Sequence, residues 1–207
     1  MDEPAEKAYL QPYTDAVKQF GASFESTLWN SRDAQTLRFD VMIDLAGLDG
    51  ATVLDLGCGP GDLAAHLLQR RIPIAGYVGL DAVPQMIEAA GKRDLPGCRF
   101  VFGDAVADPG LLKTGQPDYV CISGTLNTMD DATARKLVAD SFAAANHGVV
   151  FNFLSTRPHP RFADRDTGPA RRRDPVAWLD FALGLSSRVA FTQSYLDGHD
   201  ATILIIC

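Results

Sequence analysis

A chain of 207 residues is long enough for one domain with a full-sized core, and its apolar and charged shares of 46% and 22% are those of an ordinary soluble protein. The net charge of −7 argues against a broad nucleic-acid surface, and no apolar run approaches the roughly 20 residues that span a bilayer. The acidic start MDEPAEKAY lacks an apolar signal core, which places the chain in the cytoplasm by expectation. Cys58, Cys98, Cys121 and Cys207 are scattered, with no C-x-x-C pair and no histidine cluster beside them. Reduced thiols and no metal site are therefore expected.

Taken in order, residues 4–20 read as a helix with Tyr9, Tyr13, Val17 and Phe20 at helical spacing, kinked or divided by Pro12. An irregular piece over 21–30 holds Phe24, Leu28 and Trp29. Ser31 is the N-cap expected for a second helix to about residue 46, with Leu37, Val41 and Leu45 as its apolar stripe and Gly47 as its stop. From Val53 the rhythm alternates: strands over 53–56, 74–80, 99–102, 119–123 and 149–154, and helices over 63–70, 84–92 and 131–145. The last of these helices turns Leu137, Val138, Ser141 and Phe142 inward. A polar, basic stretch over 155–173 follows, then a helix capped by Asp174-Pro175 and two strands, 189–195 and 201–206, around Asp197-Gly198. The predicted fold is α/β: a doubly wound, mostly parallel seven-stranded sheet with a C-terminal antiparallel hairpin and an N-terminal helical extension. One domain is expected, with 1–48 as a helical cap and 49–207 as a Rossmann-like core.

The stretch Val53-Leu54-Asp55-Leu56-Gly57-Cys58-Gly59-Pro60-Gly61-Asp62-Leu63 organises this pattern. A buried strand runs into a glycine turn and then a helix, whose free N–H groups can face a polar or anionic ligand. A dinucleotide fingerprint needs G-x-G-x-x-G, and Asp62 stands where its third glycine belongs. The chain reads G-x-G-x-G at Gly57, Gly59 and Gly61, preceded by Asp55, and so resembles the first motif of class I S-adenosylmethionine-dependent methyltransferases. Cys58 suits the turn as a small side chain. Asp81 follows the second strand and is placed to accept from both ribose hydroxyls, with Ala82 and Met86 beside it. Asp104 and Ala105 follow the third strand. An Asp there resembles the family's acceptor for the adenine amino group, which the dinucleotide fingerprint does not contain.

The resemblance covers residues 51–155 and implies S-adenosyl-L-methionine as cofactor, with S-adenosyl-L-homocysteine as product. It also implies a small-molecule substrate, methylated at O, N or C by in-line displacement. After the fourth strand, Ser123 and Gly124 would border the cofactor, and Thr125 and Asn127 would reach the substrate or serve as turn and cap residues. The family's (Asn/Asp/Ser)-Pro-Pro-(Tyr/Phe) run is absent here, which counts against nucleobase amino groups and protein glutamine as acceptors. By the same resemblance the N-terminal helices cap the pocket: Trp29 would wall it, and Arg38 would pair the cofactor's carboxylate, sharing a helix face with Gln35. Tyr13 and Arg157 are candidate substrate contacts, and His159, within a basic stretch that ends in the triple Arg171–Arg173, is the candidate general base. His66, His147 and His199 each have a structural account, on a helix, in a cap and in the hairpin. No nucleic acid or membrane partner is expected, and the assembly is a monomer or homodimer. The competing readings are an NAD(P)-dependent oxidoreductase and a non-catalytic adenosylmethionine-binding module.

Overall fold

The computed structural model describes residues 7–163 and 165–207. The part of the first expected helix over residues 4–6 lies outside them. The described helix α1 (Gln11–Phe20) opens with Pro12 in its first turn. Proline there forfeits no hydrogen bond, so it starts the helix where the sequence suggested a kink. Helix α2 (Arg32–Ala46) is capped as expected: Ser31 Oγ accepts from Ala34 N at 3.1 Å, and Gly47 closes it in the left-handed conformation. Its buried face differs from the expected one. Gln35, Arg38, Phe39, Met42, Ile43 and Ala46 point inward, while Leu37 is exposed.

Five parallel strands follow with their helices between: β1 (Thr52–Leu56), α3 (Asp62–Arg70), β2 (Gly76–Asp81), α4 (Pro84–Gly91), β3 (Cys98–Phe102), β4 (Tyr119–Ile122), α5 (Asp131–Ala144) and β5 (Gly148–Ser155). A two-residue β6 (Arg172–Arg173) pairs with the end of β5, and α6 (Pro175–Leu185) leads to β7 (Val189–Thr192) and β8 (Asp200–Ile206). The order is β3-β2-β1-β4-β5-β8-β7, with β8 antiparallel to both β5 and β7. This is the predicted seven-stranded path; β6 adds a strand too short for any periodicity to announce.

The sheet is buried on both faces, so its strands are almost continuously apolar. Period-two alternation sends Leu54, Leu56, Val78, Leu80, Val120, Ile122, Phe151 and Phe153 to one side, against Leu137 and Val138 of α5 and Trp178 of α6. Val53, Tyr77, Cys121, Val150 and Leu204 face the other side, against Phe39, Met42 and Ile43 of α2 and Leu63 and Leu67 of α3. Each fully buried side chain of this size contributes about 1.5–3 kcal/mol of transfer free energy. Among the described residues no helix is long and apolar enough to cross a membrane.

The strand order reverses beside β1, because its successor β2 lies to one side and β4 to the other. Connections there leave in opposite directions and open a crevice at the carboxyl ends of the strands. The N-terminal 3₁₀ turn Glu25–Thr27, α1 and α2 contribute residues to the walls of this crevice.

Candidate active site

The crevice is a cavity of about 720 Å³. Its floor is the turn between β1 and α3, where Gly57 and Gly61 have φ of 74° and 81°. A Cβ on Gly57 would lie 2.1 Å from Thr125 Oγ1, whose hydroxyl donates to Leu56 O at 2.8 Å, so the turn and the segment after β4 are locked together at van der Waals distance. Gly57, Cys58, Gly59 and Pro60 line the cavity; Gly61 does not, and serves instead as the left-handed cap of α3. Burial, with the Asp55 and Asp81 carboxylates nearby, raises the Cys58 thiol well above its usual range, which suits a packing residue and not a nucleophile.

Asp81, partly open to the cavity, ends β2. Its Oδ2 accepts from Gly59 N and its Oδ1 from Val83 N, both at 2.8 Å. Burial pushes its carboxyl up to about 6, and those backbone hydrogen bonds pull the other way. Asp55 is fully enclosed and accepts from the Tyr77 hydroxyl; burial is the main reason its carboxyl rises to about 7, with the Asp81 and Asp62 charges adding to it. Asp104 accepts from Tyr9 Oη at 2.9 Å and from Val106 N at 3.0 Å, and Lys7 Nζ stands 3.5 Å away. Ala82, Met86 and Ala105 complete this side of the cavity.

After β4, Gly124 sits at φ 79°, with its N–H donating to Asn152 Oδ1 at 3.0 Å. Asn152 Nδ2 donates to Ser123 Oγ at 2.9 Å. A Cβ on Gly124 would lie 2.6 Å from Trp29 Cζ2, so the indole is seated directly on the backbone. Tyr13 Oη donates to Gly124 O at 3.3 Å, and burial pushes its hydroxyl up to about 12. Trp29, Tyr13, Ser123, Gly124, Thr125 and Asn127 all line the cavity. Asn127 Oδ1 is buried without a hydrogen-bond partner among the described residues.

Three expectations are corrected. Arg38 lines the cavity and stacks 4.5 Å over Trp29, but its Nε and Nη2 are engaged by Asp200 at 2.7 and 2.6 Å and its Nη1 by Ala34 O at 2.8 Å. The fork expected to hold a ligand carboxylate already holds a protein carboxylate. His159 does not line the cavity; it is exposed and caps the 3₁₀ turn Pro160–Phe162, its Nδ1 accepting from Arg161 N. Arg157 is likewise outside the cavity, in an exposed pair with Asp174. Within the basic triple, Arg173 is a buried strut: it pairs with Asp131 and donates to Leu126 O at 2.5 Å and Met129 O at 2.8 Å.

Asn152 had no role in the sequence reading, and His199 had only a structural one in the hairpin. Asn152 falls inside an apolar strand, where a lone amide gives no signal of the loop it holds. His199 lines the cavity, while His66, His147 and His159 do not. His66 instead meets Asp40 at 2.7 Å, and His147 packs on Tyr119. Among the described residues no group of three or more His, Cys, Asp or Glu is placed to hold a metal.

A glycine turn at the switch point of a doubly wound sheet, with carboxylates ending β2 and β3, defines a Rossmann-like fold built to take a nucleoside. Residues 53–148 match the family model of a methyltransferase domain, which supports a class I S-adenosylmethionine-dependent methyltransferase. It is 52% identical over 149 residues to trans-aconitate 2-methyltransferase of Escherichia coli K12 (DH10B), an alignment covering 70% of this chain and 47% of that protein. The chain spans about half the length of the curated relatives it matches. Two solved structures share the fold: magnesium protoporphyrin IX methyltransferase from Synechocystis PCC 6803 with bound SAH (TM-score 0.65, 14% identity, 97% of this chain and 95% of that one), and the DhpI-SAM-HEP complex (TM-score 0.67, 17% identity, 99% and 98%).

Proposed function

We propose that this chain transfers the methyl group of S-adenosyl-L-methionine to a small-molecule acceptor. The observation that carries the reading is the convergence of Gly57, Gly59, Asp81, Asp104 and Gly124 on one cavity. The cofactor fits these residues. Gly57, Gly59 and Gly124 bring bare backbone to the cavity wall, where a ligand can approach closely, and Asp81 and Asp104 offer acceptors at two separate edges. About 300–1,000 Å³ is usual for small-molecule sites, and 720 Å³ falls within it.

In this reading Asp81 accepts from the ribose hydroxyls, with Ala82 and Met86 flanking it, and Asp104, beside Ala105, accepts from the adenine amino group while sharing its oxygens with Tyr9. Asp55, Cys58 and Gly61 hold the turn; Ser123, Gly124 and Trp29 wall the methionine end. Thr125, Asn127 and Tyr13 face the acceptor. The cofactor supplies an electrophilic methyl and a neutral thioether as leaving group. The protein's part is alignment of the acceptor and exclusion of water. Residues 1–48 act as the cap of a single domain, a reading supported by Tyr9, Tyr13, Trp29, Gln35 and Arg38 all lining the cavity. A small-molecule acceptor, a cytoplasmic setting and a monomeric or homodimeric assembly without nucleic acid complete the proposal.

Incubation with S-[methyl-¹⁴C]adenosylmethionine and a metabolite extract filtered below 1 kDa tests it. Label is expected in the small-molecule fraction, with equimolar S-adenosylhomocysteine. No S-adenosylhomocysteine product above a protein-free control would refute the proposal.

A further inference from the structure

We infer that His199, held by Asp200, is the general base of the transfer, and that the acceptor is a neutral O–H group. The inference rests on the methyl-transfer reading above.

His199 follows the 3₁₀ turn Leu196–Gly198, is 7% exposed and lines the cavity. Its Nδ1 lies 2.8 Å from Asp200 Oδ2. Asp200 also faces the guanidinium of Arg38, and a carboxylate held as an ion pair only accepts, so the ring nitrogen must donate to it. In the neutral ring the lone pair then falls on Nε2. That atom is buried and has no hydrogen-bond partner among the described residues. A buried polar atom without a partner is costly and calls for an explanation. His199 belongs to the cavity wall, and the explanation offered here is a ligand proton.

The surroundings fix the imidazole in this orientation. Phe162, which also lines the cavity, packs edge-on against the ring at 5.1 Å between centroids. The His199 carbonyl accepts from Ser155 N at 2.9 Å, tying the residue to the end of β5. Arg38 in turn anchors Asp200 from α2, so base, positioning carboxylate and cavity wall form one connected unit. Asp200 is a positioning residue: it sets the tautomer and balances the imidazolium that forms.

The acceptor class follows from the base. A carboxylate acceptor arrives already ionised and needs none. A hydroxyl does need one. As its oxygen forms the bond to the methyl carbon, its proton passes to His199 Nε2. The electron pair of the broken carbon–sulfur bond stays on sulfur, and the imidazolium later returns one proton to water. The trans-aconitate relatives are named for a tricarboxylic acid, so this assignment separates the chain from them.

Two measurements on the whole protein test the inference. Long-range ¹H–¹⁵N spectra of ¹⁵N-histidine-labelled protein, assigned through His199→Gln, are expected to show His199 protonated at Nδ1 and bare at Nε2 at pH 7.5; a proton on Nε2 overturns the inference. Methyl transfer is then measured to phenol, 4-hydroxybenzoate and trans-aconitate. Ether products are expected, with kcat in His199→Gln lowered about 100-fold or more while its calorimetric affinity for S-adenosylhomocysteine stays within twofold. Ester products only, no product from either hydroxyl probe, or an ether rate insensitive to His199→Gln each overturns it. Wild-type protein that binds no S-adenosylhomocysteine overturns the methyl-transfer reading itself, and the base assignment with it.

Discussion

Arg38 on α2 and Asp200 at the start of β8 are 162 residues apart and meet in a two-pronged ion pair at 2.7 and 2.6 Å, with both side chains almost wholly buried. The pair joins the N-terminal cap to the antiparallel edge of the sheet, against the cavity wall. Removing one partner strands the other charge away from water, which typically costs about 3–5 kcal/mol. Arg38→Met is therefore expected to lower the melting temperature by roughly 6–20 °C for a chain of this size. Adding Asp200→Asn to it is expected to recover part of that loss. Scanning calorimetry decides: a single variant that melts with the wild type shows that the pair contributes nothing.

The affinity for S-adenosylmethionine is expected to depend on pH through Asp81. Its carboxyl is pushed up to about 6, and only the ionised form accepts from two hydroxyls. The ionised fraction, and with it the binding constant, falls about tenfold from pH 7 to pH 5. Calorimetric titrations at both values check this, with Asp81→Ala expected to bind weakly and almost independently of pH.

Asp55 shapes stability in the same range. Its folded carboxyl sits near 7 against an unfolded value of 3.8, so between these values the folded state holds a proton that the unfolded state has released. The contribution is fully present below the unfolded value and is lost as pH rises toward 7. Asp55→Asn keeps an oxygen for the Tyr77 hydroxyl and removes the titration. It is expected to flatten the decline in urea-unfolding free energy from pH 4 to 7. A variant that retains the wild-type slope assigns that slope elsewhere.

At Gly57 an added Cβ meets Thr125 Oγ1 and Cγ2 at 2.1 and 2.8 Å, on a backbone with φ 74°. Gly57→Ala is expected to destabilise the fold by about 2 kcal/mol or more and to abolish detectable cofactor binding. Trimming the clash with Thr125→Ala should return only part of the stability, because the φ strain remains. Full recovery of stability in the double variant would assign the whole cost to the side-chain contact.

The sheet was legible because each parallel strand is a short apolar run bounded by glycine, proline or aspartate, and the cap residues Ser31 and Asp174 carry their own hydrogen-bond logic. The glycine turn and the acids after β2 and β3 were legible for the same local reason. What escaped was long-range pairing. Arg38 reads as a cation on a helix face, and nothing nearby in sequence reveals that Asp200 neutralises it; Leu37 accordingly looked like the core residue and is exposed. Arg173 reads as part of a basic run, though its buried guanidinium bonds two carbonyls beyond β4. In the sequence His159, in a basic stretch, looks the better base, and His199 reads as a hairpin residue. Only the return of β8 alongside β5 brings the second to the cavity.

The central claim is that the cavity above the Gly57–Gly61 turn takes an adenosyl ligand, and calorimetric titration of the purified protein with S-adenosylhomocysteine, NADH and their Asp81→Ala controls tests it most directly. The account predicts micromolar binding of S-adenosylhomocysteine, weakened about 100-fold by the loss of two hydrogen bonds to a charged acceptor in Asp81→Ala, and no heat with NADH. Binding of NADH in place of S-adenosylhomocysteine, or S-adenosylhomocysteine binding that Asp81→Ala leaves unchanged, would contradict it.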